Sequence, residues 1–203
     1  MNGAPGVFFN GTNMYMALDS IAPKIRTAET LTVVFASHAK RKVGPDLLPD
    51  GKKNNMRQFF FSMHQQERTL DVLRFGFDKG RQYRFRSRIE DRQRFRGPNM
   101  LQPTIFSVVV NAREVHFFHN GARFHTHFLV SKVPFDQVTY ISLGQEWDGL
   151  PSDLFHGSFG DFLLFDRALS DVERRLVEGT LSTKYQIPVT GPDPAVPPRI
   201  GGF

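Results

Sequence analysis

Apolar residues run in short blocks along this chain, some continuous and some alternating with polar ones, and turn residues separate the blocks. VFF (7–9) leads into Asn10-Gly11, and Tyr15-Met16-Ala17-Leu18 follows. LTVVFAS (31–37) and TIFSVVVN (104–111) are continuous and rich in β-branched residues, which predicts strands buried on both faces. QFFFSM (58–63), TLDVLRFGF (69–77), QYRFRSRI (82–89), VTYISLG (138–144) and GDFLLFD (160–166) continue the series. EVHFFHNGARFHTHFLV predicts a hairpin turning at Asn120-Gly121, a dipeptide suited to the positive φ angles of a two-residue turn. Strands at this spacing, almost without helices between them, predict an antiparallel sandwich or barrel. One helix interrupts the pattern. Ser170-Asp171-Val172-Glu173 has the form of a capping box, with Val172, Leu176 and Val177 on one face beyond it and Leu181 and Tyr185 extending it.

Composition sharpens this picture. A chain of 203 residues suits one domain able to build a sizeable core without staples. The 21 Phe against a single Trp favour strands and a bulky core. With no Cys, disulfides, thiol nucleophiles and cysteine metal sites are excluded. No apolar run approaches the ~20 residues of a membrane span, and the first twenty residues lack the basic start and apolar core of an export signal. Of the net +6, seven Arg fall between Arg81 and Arg96, so the charge is local and suits a local partner. Residues 188–203 carry five Pro and read as an extended arm on a domain spanning 1–187.

The stretch FHGSFGDFLLFDRALSDVERRLVEGTLSTKYQI resembles the C-terminal signature of laminin-G-like domains of the concanavalin A-like superfamily. Arg167, Ala168, Leu169, Ser170, Asp171, Glu173, Gly179, Leu181, Lys184 and Tyr185 carry the likeness, and VFFNGTNMYMAL, LTVVFAS and VHFFHNG are similar to its earlier strands, with Phe35 where Trp is common. The resemblance spans roughly residues 5 to 187. It implies an all-β jelly roll of two curved antiparallel sheets and little about activity, because the fold hosts lectins, glucanases and adhesion modules.

Glu146-Trp147-Asp148 is similar to the start of the E-x-D-x-x-E motif of laminarinase-type enzymes on that fold, where two glutamates flank a glycosidic bond. Pro151 stands where the second Glu belongs, in a segment that reads as turn rather than strand, so hydrolysis is not expected and no catalytic residue is assigned. The same loop offers Trp147 as a sugar platform, with Asp148 and Asp153 as hydrogen-bonding neighbours. A two-residue turn at Asn120-Gly121 would set His125 opposite His116, so that His116, His125 and His127 converge as weak zinc candidates. Arg84, Arg86 and Arg88 share one strand face while Tyr83 and Phe85 take the other, and Arg92, Arg94 and Arg96 repeat the alternation. Such a ladder suits a polyanion or an acidic protein surface, because guanidinium forks grip carboxylate, sulfate and phosphate.

The expectation from these features is a non-enzymatic interaction module that needs no cofactor. It would belong to a larger assembly such as a virion, made without a signal peptide, and would contact neighbours through the arm and the Arg strands. The alternative is a carbohydrate-binding lectin domain, extracellular if the sequence is an excised piece. A glycoside hydrolase is the remote third. No motif for sequence-specific nucleic-acid binding is present.

Overall fold

The computed structural model describes residues 3–41, 57–65, 70–78, 82–87, 91–147 and 151–190. In chain order the elements are β1 (Val7–Asn10), β2 (Met16–Ala17), the short helix α1 (Ala22–Ile25), β3 (Leu31–Ala39), β4 (Arg57–Gln65), β5 (Leu70–Asp78) and β6 (Gln82–Ser87). After these come β7 (Asp91–Arg96), β8 (Thr104–Asn111), β9 (Glu114–His119), β10 (Ala122–Phe128), β11 (Tyr140–Leu143), β12 (Glu146–Trp147), β13 (Pro151–Ser152), β14 (His156–Phe165) and α2 (Asp171–Tyr185). Two six-stranded sheets result, here called A (β1-β14-β3-β8-β9-β10) and B (β2-β11-β4-β5-β6-β7), with every described pair antiparallel. This is the predicted all-β sandwich with one C-terminal helix.

The abundance of Phe is spent between the sheets. Phe35 of β3 has ring centroids of Phe60, Phe61, Phe106, Phe159 and Phe162 within 5.0–6.3 Å, so both sheets interlock through one aromatic cluster. Each such ring withdrawn from water contributes about 1.5–3 kcal/mol. β3 and β8 are buried along nearly their whole length, as their unbroken apolar runs require. The β9–β10 hairpin turns at Asn120 and Gly121 with φ of 48° and 87°, the left-handed pair expected of Asn-Gly.

Helix α2 begins with the expected capping box: Glu173 N–H donates to the Ser170 hydroxyl, and the Glu173 carboxylate accepts from Ser170 N–H. Its buried face, however, differs from the expected one. Val172 and Leu176 are 79% and 74% exposed, whereas Arg174 and Glu178 are 1% exposed. Arg174 Nη1 donates to both Glu178 oxygens at 2.7 and 2.6 Å, its guanidinium lies 3.6 Å from the Phe118 ring centre, and Ser107 Oγ donates to Glu178 at 2.5 Å. Paired this way, two charged side chains can turn inward with Leu181 and Tyr185, which pack on Val34, Ala36 and Ile105 of sheet A. Beyond the helix, Ile187 is buried and Thr190 donates from its N–H and its hydroxyl to Asn120 O, so the start of the arm lies on its own domain. The remainder of the arm, from 191 onward, lies outside the described residues.

Candidate functional site

α2 covers the outer face of sheet A, whereas the helical turn at Asp19–Ile21 meets sheet B at β11, near the edge away from β6 and β7. The outer face of sheet B is therefore where the two-residue period delivers its polar side chains. Along β6, Tyr83 and Phe85 join the core while Arg84 and Arg86 point outward, as expected. β7 adds Arg94 and Arg96, both exposed. Cross-strand pairing then lines up like charges: Arg74, Arg86 and Arg92 occupy one row across β5, β6 and β7, and Arg84 lies opposite Arg94 in the next. The Arg92 side chain and all of Arg88 lie outside the described residues.

Like charges directly opposite one another destabilise a sheet. Here acids relieve part of the repulsion. Arg84 Nε donates to Asp78 at 2.5 Å, Arg86 lies 2.7 Å from Asp71, Arg74 is bound to Glu146 and 3.3 Å from Asp71, and Arg57 is 3.6 Å from Asp153. Burial disfavours the ionised form of Asp71, but the His64 imidazole 3.5 Å away and the charges of Arg74 and Arg86 outweigh it, so its carboxyl titrates below the ordinary carboxylate range. For Asp78 the balance reverses: burial prevails over Arg84, Arg57 and Arg94 and pushes its carboxyl above that range. The void among these side chains is about 10 Å³, enough for about one water, so a ligand would lie on the guanidinium rim and not sink between the strands.

The Glu146 segment is strand, not turn. β12 and β13 form a two-rung hairpin with Trp147 opposite Pro151, and Ser62 Oγ donates to Gln145 O at its base. The hairpin thereby reaches over sheet B far enough for Glu146 to meet Arg74. A motif of alternating turn formers hid this, because tertiary bonds and not propensity hold so short a ladder. Glu146 is buried and bound to Arg74. Asp148 and the Trp147 side chain lie outside the described residues. Asp153 sits just beyond β13 with φ of 46°, beside Arg57.

The histidines do not converge. A bulge between Arg123 and His125 shifts the β9–β10 register by one, so His125 pairs with Phe117 and His116 pairs with Thr126. A shift of one residue exchanges the faces. His125 stacks on Phe95 at 3.8 Å and His127 lies 5.6 Å from Phe85, both toward the sandwich interior, while His116 contacts Thr126 Oγ1 and Glu114. Burial lowers the pKa of His116 and of His125, and that of His119 to about 4. Among the described residues no three His, Asp or Glu side chains form a metal-binding group. The sequence reading also missed Arg57, Arg74, Asp71, Asp78 and Glu146 as members of one face; their alternation with core residues on β4 and β5 was legible, but their convergence needed the strand order.

No family model matches this sequence, and neither does any curated protein sequence. Its fold nevertheless has many solved counterparts. The CBM40 domain of the Ruminococcus gnavus IT-sialidase, bound to α2,3 sialyllactose, matches with a TM-score of 0.67 at 14% identity, over 86% of this chain and 96% of that one. A mutant of the NanB sialidase from Streptococcus pneumoniae matches at 0.65 and 16% identity, over 94% of this chain but 28% of the sialidase. The leech intramolecular trans-sialidase complexed with 2,7-anhydro-Neu5Ac matches at 0.63 and 13% identity, over 93% of this chain and 28% of its own. At these identities the likeness shows the fold alone: this chain is a β-sandwich similar in fold to the CBM40 domain of the R. gnavus sialidase.

Proposed function

We propose that this chain is a non-catalytic carbohydrate-binding domain that takes acidic glycans on the outer face of sheet B. The observation that carries this reading is the pair of cross-strand guanidinium rows, which oppose like charges at a cost to the sheet and are only partly neutralised by acids. A carboxylate presented by a sugar would complete that neutralisation bidentately at the exposed rim, with Arg94 and Arg96 as its first contacts. The R. gnavus CBM40 domain of similar fold binds α2,3 and α2,6 sialyllactose, whose terminal sugar is such an acid, which supports the carbohydrate-binding alternative over a component of a virion. We extend the proposal to the β12–β13 hairpin: Trp147 and Asp148 would frame the site, because Glu146 of the same hairpin already touches Arg74.

Isothermal titration with 3′-sialyllactose and with lactose tests the reading. Binding of the acidic sugar, little or none of lactose, and a loss of about tenfold or more in Arg94→Ala with unchanged folding are the expected results. Equal binding of both sugars, or none of either, would overturn it. Trp147→Ala examines the hairpin separately and should weaken both the acidic sugar and any residual lactose binding.

A further inference from the structure

At the edge opposite β7 and β10 the two sheets do not close. β1 pairs with β14 only from His156 to Phe159, whereas β14 continues to Phe165 and, beyond a register shift between Phe159 and Phe162, stays paired with β3 on its other side. Among the described residues no strand pairs with the other side of Phe162–Phe165. A cavity of about 540 Å³ lies there. All five consecutive residues from Gly160 to Leu164 line it. Beyond the register shift Phe162 and Leu164 turn to the core between the sheets and Leu163 to the outer face under α2, so a space bordered by all three runs along the open edge of the strand. Its opposite wall is apolar, from Val7, Met16, Leu18 and Leu143, and Val7 and Met16 are 42% and 37% exposed at its mouth. Two charged side chains border it: Asp161, whose two oxygens are both taken by Lys184 Nζ at 2.9 and 2.7 Å, and Lys24, exposed on the last turn of α1.

We propose that this cavity is an acceptor groove for a strand donated by another polypeptide. The donor is an extended segment with apolar side chains at alternate positions and an acidic residue where it passes Lys24. An open strand edge supplies backbone donors and acceptors that a hydrocarbon ligand cannot satisfy, whereas an added strand bonds them and drops every second side chain into the apolar space. The charge left on the rim is positive, which selects the acidic flank. The groove lies at the β1/β2 edge, away from the guanidinium rows near β7, and this inference does not rest on glycan binding.

The probe is a fluorescein-labelled eight-residue peptide of alternating Thr and Val closed by two Glu, followed by fluorescence anisotropy on the whole chain. Saturable binding is expected below about 1 mM, weakened about tenfold by Met16→Glu, a rim change that leaves the core intact. Lys24→Glu should weaken it about threefold and favour the same peptide closed by two Lys. A copy methylated on the alternate backbone nitrogens that face β14 should lose about tenfold or more. Equal binding of the methylated copy would show an apolar pocket without strand addition, and no saturable binding would remove the groove. Binding that strengthens several-fold on deletion of 191–203 would identify the chain's own arm as the occupant. A dimer in sedimentation velocity that Met16→Glu dissolves would identify a second copy. Each of these outcomes overturns the proposal.

Discussion

Asp78→Asn should strengthen binding of an acidic glycan, although it removes the charged partner of the site's own arginine. Asp78 holds Arg84 through a 2.5 Å bond and faces Arg57 and Arg94, so its charge neutralises the face that a ligand carboxylate would meet. A carboxylate seated on the rim would lie roughly 7 Å from Asp78, where two unit charges interact by about 0.6 kcal/mol in water and about 2.4 kcal/mol at an effective dielectric constant of 20. Removing that repulsion corresponds to an increase of about threefold to fiftyfold in affinity, largest at low salt. Stability should hardly suffer. The raised pKa of Asp78 means that the folded state prefers the neutral side chain, so any contribution from this group is present at low pH and is lost as pH rises through the folded pKa. At neutral pH the ionised form is a net liability, and a neutral Asn should be tolerated. Calorimetric titration of 3′-sialyllactose at two ionic strengths, with urea melts of both proteins, measures each part. Unchanged or weaker binding in a variant as stable as the parent would refute the reasoning, because the acids would then be acting as ligand acceptors and not as counter-ions.

Other outcomes follow from neighbouring features. Arg174→Met alone should destabilise the domain by about 3–5 kcal/mol in urea unfolding by stranding Glu178, whereas Arg174→Met with Glu178→Leu should recover most of that loss. His119 is half-buried with its pKa lowered by desolvation to about 4, so it stabilises the fold fully above its ordinary pKa of about 6.5 and progressively less as pH falls toward 4. With its partial exposure discounted, that loss is about 1–2 kcal/mol, and His119→Phe should flatten the stability–pH slope in that window. Glu146→Gln should leave glycan hydrolysis undetectable, as in the parent, when reducing-end release from β-glucans is assayed; turnover that the change abolishes would contradict the binding-only reading.

The local pattern of residues determined a great deal about this protein. Unbroken apolar runs at 31–37 and 104–111 specified the central strands of sheet A, Asn120-Gly121 specified the hairpin turn, and Ser170 with Glu173 specified where α2 starts. The alternation on β6 specified which face its arginines take. Each of these rests on chemistry within a few residues of itself. What depended on distant partners was decided by tertiary structure. The bulge after Arg123 separated His116 from His125, because the packing of Phe124 beside Tyr83, Phe95 and Phe117 changes the register that a regular hairpin would keep. The inward face of α2 was decided by Ser107 and Phe118, seventy-one and fifty-six residues from the charges they receive. The guanidinium face required β4, β5, β6, β7 and β12 to be brought side by side, and strand order is set by the closing of the aromatic core between the sheets. A sequence states which side chains a strand offers to each face; the other elements packed in the same fold decide what those side chains meet.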